Sequence, residues 1–155
     1  MSVAPGRPTV EDVALLLRAR TKDANGTEVG TFDDETRPTA DEVEGHITAA
    51  MGLVGIRVPD VDKLTDEATV AFSALVAYRA AMRVEKSYFP EQVRSDRSAY
   101  EQLRQEYLDD LQALLDAIED GSALDPGVPV VAAGIATIPV GSWTTIGGCI
   151  PPAAA

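Results

Sequence analysis

A nucleophilic thiol needs a base within reach, and the sequence holds one candidate of each: Cys149, behind Gly147 and Gly148, and the single histidine, His46. No third group is indicated that would orient the imidazole, so the two are read as an unactivated thiol and a solvated or capping histidine. With one cysteine and one histidine, a zinc centre lacks its usual ligand set. Carboxylates are more plentiful. Asp23, Asn25 and Thr27 resemble the opening of a calcium loop, but glycine falls at the fourth position instead of the sixth and the closing glutamate is misplaced. Asp33-Asp34-Glu35 and Asp109-Asp110 are read as solvated faces, and neither GxxxxGK nor GxGxxG is present to cradle phosphate. No catalytic residue, cofactor or metal is therefore expected, and the chain is expected not to be an enzyme.

What remains are groups suited to recognition. Arg79 and Arg83 lie one turn apart on a predicted helix, opposite its apolar stripe, where they could grip carboxylates of a neighbouring subunit or simply be solvated. Trp143, the only tryptophan, sits in a charge-poor segment, as an anchor for a partner groove or for the chain's own helical domain.

These residues need elements to position them. The chain has 155 residues, a length that suits one helical core, and a formal net charge of -12 that repels phosphate backbones. Lys and Arg are scattered, and the densest stretch, Arg94 to Arg104, is interleaved with Asp96 and Glu101. DNA contact is thus expected to be passive. Nothing reads as a signal peptide or a stretch of roughly 20 apolar residues able to span a bilayer, so no membrane partner is expected.

Four helices are predicted. Thr9 caps the first, about three turns long, with Val13, Leu16 and Leu17 inside and Arg18 and Arg20 at its negative end. Residues 21 to 38 form a surface loop or a small hairpin around Asn25-Gly26. Thr39 and Glu42 make a capping box for the second helix, which carries Val43, Ile47, Met51 and Val54 on one stripe. Thr65 opens the third, with Ala68, Ala71, Phe72, Leu75, Tyr78 and Met82 inward, and Pro90 ends it. Ser98 and Glu101 cap the fourth, whose stripe runs Tyr100, Leu103, Tyr107, Leu111, Leu114 and Ile118 to a stop at Gly121.

From Ser122 the character changes. Residues 122–155 contain one charged side chain, Asp125, with five prolines and five glycines among β-branched apolar residues. Two parts follow: a helical bundle at 1–121 and an extended apolar arm at 122–155. The arm would reach roughly 110 Å if stretched. Ile138, Val140, Trp143 and Ile146 are the residues expected to fill pockets on a partner as the arm adds to an edge strand or groove.

The segments PTVEDVALLLRART, NGTEVGTF leading into TRPTADEVEGHI, AYRAAMRVEKSYFPEQ and YEQLRQEYLDDLQALLDAIE occur in that order over residues 8 to 120. In this order the chain resembles the head-tail connector, or adaptor, family of long-tailed double-stranded DNA bacteriophages, especially those of actinobacterial hosts. The resemblance implies a small helical bundle repeated as a ring, commonly of twelve, beneath the portal of the virion. Its partners would be further copies of itself, the portal protein and the next head-tail joint or tail protein, with DNA passing through the channel. The arm would correspond to the segment with which family members grasp the portal. Two other readings stay open: a different head-completion or tail-end protein, and a cytoplasmic helical binding module whose arm folds back on its own bundle.

Overall fold

Three helices begin where a threonine oxygen takes up an amide left free at a helix start. Thr9 and Thr39 each form a reciprocal box with the acid three residues on, Asp12 and Glu42, and Thr65 accepts from the Ala68 amide. The computed structural model describes residues 6–91 and 99–125. Its fold is mainly α, with α1 (Val10–Leu16), α2 (Ala40–Gly55), α3 (Asp66–Tyr88) and α4 (Ala99–Glu119) and two 3-10 turns, Arg18–Arg20 and Val61–Lys63. Ser98, the expected cap of α4, lies outside the described residues; Glu101 pairs with Arg104 at 2.7 Å. No described helix is long and apolar enough to cross a membrane.

The centre of the bundle is α3, which packs against α1, α2 and α4. Ala68, Phe72, Leu75, Val76, Ala80, Ala81 and Val84 are all buried, and from Leu75 to Glu85 every residue is buried or half-buried, whereas Glu67, Val70, Ala71 and Ala74 on the first half stay exposed. Alanine explains how three neighbours fit around it: small side chains bring helix axes close, and Phe72 and Leu75 fill the remaining depth. This corrects two expectations. Ala71 lies on the open face of the first half of α3, and Arg79 and Arg83 are half-buried because the second half has no open solvent side. From α2 come Val43, Ile47 and Val54 as expected, with Ala50 buried and Met51 only half-buried, and from α4 Leu103, Tyr107, Leu111 and Leu114, with Tyr100 and Ile118 half-buried at the ends of the stripe.

Helix α1 is shorter than expected, two turns instead of three, because Leu17 leaves helical geometry at φ −120° and turns into the core. The 3-10 turn that follows carries Arg20 to Glu85 on α3, instead of leaving it at the α1 dipole. Ahead of α1, Arg7 bonds Glu44 and Thr48 of α2. Gly6, at φ +73°, sits against Phe72, where a Cβ would come within 2.8 Å of the ring.

The loop from Thr21 to Pro38 contains a minimal turn, not a pair of strands. A single antiparallel bridge joins Lys22 and Glu28 around Asn25-Gly26, and Gly26 takes φ +81°. Phe32, Thr21 and Thr36 are buried and pin the loop to the core. The Thr36 hydroxyl accepts from the Asp33 amide at 2.9 Å and lies 2.8 Å from the Pro38 carbonyl.

At the other end, Gly121 turns the chain at φ +82°, and residues 122–125 return to the bundle. Ala123 is buried, its carbonyl accepts from the Thr65 amide at 2.9 Å, and the Asp125 amide donates to the Lys63 carbonyl at 3.0 Å. The start of the expected arm is thus bonded to the N-terminal end of α3.

Candidate functional site

Arg79 on α3 reaches toward α4, its guanidinium carbon 5.8 Å from the Tyr107 ring centre. Its Nε is shut off from solvent and has no hydrogen-bond partner among the described residues, and the same holds for Nε of Arg83 one turn on. Unpaired buried N–H groups are costly, so the polar demand of these arginines is not met within the described bundle. Arg83 faces α2: its charge, second to burial, helps push the His46 imidazole below its ordinary range, while Glu42 pushes the other way. His46 stands edge-on to Tyr88, ring centres 6.3 Å apart.

Around Arg79 the end of α2, the middle of α3 and the first half of α4 enclose a cleft of about 180 Å³. Three cations line it, Arg57, Arg79 and Arg104, with Leu53, Tyr107 and Leu108 among the apolar walls and no carboxylate among the lining residues. Three arginines close together in a chain with 13 basic and 25 acidic residues is a local reversal of the overall charge. Arg104 is partly neutralised by Glu101 at 2.7 Å.

The opposite flank of α4 has the reverse character. Between α3 and α4 a groove of about 430 Å³ is walled by Ala71, Ala74 and Ala113 and edged by Glu67 and Asp110. At Ala74 it meets a second groove of about 350 Å³ between α1 and α3, where Leu15, Val70 and Asp12 stand. No Lys or Arg lines either groove. Burial raises the Tyr78 phenol above its ordinary range, and the nearby carboxylates of Glu106 and Asp110 push it the same way.

Five of the six large apolar side chains left bare among the described residues stand at or beside these flanks, and the sixth, Val29, lies in the loop from Thr21 to Pro38. Leu15 is 57% and Val70 70% exposed on the acidic side; Leu53 and Leu108, about 40% exposed, line the basic cleft, and Ile56, beside Arg57, is 83% exposed. Single exposed apolar residues are ordinary, but grouped ones beside grooves mark surfaces that association can bury.

Elsewhere the polar groups have structural work. Asp23 Oδ1 accepts from the Asn25 and Thr27 amides, and Asp33 Oδ1 from those of Glu35 and Thr36, so both carboxylates are spent on turns. Asp109 accepts from Gln105 at 2.9 Å. No group of three or more metal-ligating side chains is gathered among the described residues. Ile138, Val140, Trp143, Ile146 and Cys149 all lie outside them.

Arg79 and Arg83 were visible in the sequence as a pair, but the structure separates their roles, placing the first in the cleft and the second beside His46. Arg57 and Arg104 carry no sequence signal, since 47 residues separate them and only the packing of α2 and α4 on α3 joins them. Glu85 did carry one: an acid seven residues after Tyr78 and three after Met82 falls on the buried stripe and needs a buried partner. No protein-family model, curated protein or solved structure matches the chain.

Proposed function

We propose that this chain is a non-catalytic structural protein of a bacteriophage virion, an adaptor that forms a ring below the portal, extends the DNA channel and joins capsid to tail. The observation that carries the reading is the division of bare apolar side chains onto two flanks of the α3–α4 pair. A ring subunit has two neighbours and needs a face for each. The order of sequence segments from residue 8 to 120 supplies the family resemblance, and the net charge of -12 suits a wall past which phosphate backbones slide without adhering. In this reading Ile138, Val140, Trp143 and Ile146 dock on the portal, and the ring repeats that contact until attachment is effectively permanent.

Mass photometry of the full chain, alone and mixed with a candidate portal ring, tests the proposal. Rings of the chain, free or seated on the portal, are expected; a monomer indifferent to the portal overturns it. A self-contained binding module is the second reading, favoured by the return of residues 122–125 onto the bundle. That module would protect residues beyond Asp125 from protease in the isolated monomer, whereas a portal-docking arm is cleaved until its partner is added.

A further inference from the structure

An interface must bury apolar area and match charge, and the two flanks of α4 satisfy both conditions for each other. The cleft offers Arg57, Arg79 and Arg104 around Leu53 and Leu108; the grooves offer Glu67 and Asp110 beside Leu15 and Val70. We propose that the arginine cleft of one copy receives the acidic, alanine-walled flank of the next, with Glu67 and Asp110 of the incoming copy meeting Arg57, Arg79 and Arg104. The inference rests on the ring reading and supplies its seam.

Three observations favour a second copy as the occupant. First, two of the three arginines, Arg57 and Arg79, lack the side-chain partners such groups ordinarily have, while Arg104 has Glu101. The Arg57 side chain is exposed and has no hydrogen bond or ion pair among the described residues, and the half-buried Arg79, whose Nε is shut off from solvent without a partner, lines the cleft beside it. Carboxylates are the groups that guanidinium N–H donors bind best, through charge-assisted hydrogen bonds. Second, the complementary acids are on the same molecule, exposed, and set among side chains as small as alanine, which let another surface approach closely.

Third, the polarity excludes the commonest alternative. A two-fold dimer built on the cleft would bring arginine against arginine, and one built on the grooves would bring Glu67 and Asp110 against their own kind; like charges so placed cost several kcal/mol. Cleft to groove is the attractive pairing. It is head-to-tail, leaves one free face at each end, and closes when the rotation per subunit divides a circle. The two faces are about 140° apart around α4, judged from Leu108 and Ala113 at 3.6 residues per turn, so adding a copy to one leaves the other open.

Charge exchange on the full-length chain tests the seam, with association followed by sedimentation velocity and folding by circular dichroism. Arg57, Arg104, Glu67 and Asp110 are all exposed, so their reversal is compatible with the fold. The expected result is that Arg57→Glu/Arg104→Glu and Glu67→Lys/Asp110→Lys each weaken self-association at least tenfold, and that an equal mixture of the two variants regains it because the reversed faces fit each other. Wild-type rings that survive either double substitution, or variants that assemble no better mixed than apart, overturn the seam while leaving the ring reading in place. A wild-type chain that stays monomeric up to millimolar concentration, alone and with the portal ring, overturns both.

Discussion

The strongest polar contact inside the bundle joins Arg20 and Glu85. Glu85 is 1% exposed, and its two oxygens accept from Arg20 Nε at 2.7 Å and Nη2 at 3.1 Å, with the guanidinium 4.1 Å from the Phe89 ring centre. Removing one partner strands the other charge, so Arg20→Met should cost about 3–5 kcal/mol in urea unfolding, while Arg20→Met/Glu85→Met should recover most of that loss. Equal losses in the two variants would mean that burial of the charge is not what Arg20 relieves. His46 gives a second residue-scale prediction. Its folded pKa lies below the ordinary 6.5, chiefly through burial, so the unfolded chain binds the proton more readily. The stability this contributes is complete above pH 6.5 and is lost as pH falls through the histidine range, and His46→Gln should flatten that part of the stability profile. The sequence makes His46 a solvated or capping residue, whereas it is half-buried against Tyr88, which like Arg83 comes from another helix and has no signature at that spacing.

Helix starts were the most legible elements, because a cap is a local bond between residues three apart: Thr9, Thr39 and Thr65 needed only their own neighbours. Helix ends were less so. α1 stops early because Leu17 is drawn into a core built by residues far along the chain, which no local pattern encodes. The boundary after α4 has the same origin, since the residues that hold Ala123 and Asp125 are Thr65 and Lys63. Two truncations measure what residues 122–125 add to the bundle. A chain ending at Gly121 should lose the bonds to Thr65 and Lys63 and a buried alanine, and so melt below one ending at Asp125 by about 2 kcal/mol and on the order of 10 °C in Tm. Identical melting of the two would show that residues 122–125 contribute nothing to the bundle.

For the molecule as a whole, composition announced a helical bundle and an acidic field but not the inversion of that field in the Arg57–Arg79–Arg104 cleft. Periodicity reports which residues face inward on one helix; the meeting of surfaces from three helices is a property of their packing angles. The net charge of -12 nonetheless sets one expectation for the intact protein. Duplex DNA should not be retained by the chain on a filter even at about 50 mM salt, a condition that favours any phosphate-binding protein. Retention that declines steeply with added salt would show the arginines gripping phosphate and would contradict passive passage.

The main packing partners of α2, α3 and α4 are neighbours in the chain, and α1 reaches past α2 to α3. Such local contacts place the bundle among fast folders, with times of microseconds to milliseconds. Translation at 5–20 residues per second takes on the order of ten seconds for this length. α1, α2 and α3 can therefore collapse together while α4 is still being made, and each copy is finished soon after release. The pace at which copies accumulate into a larger structure would then be governed by their encounter, with no backlog of half-folded chains exposing alanine-walled surfaces to one another.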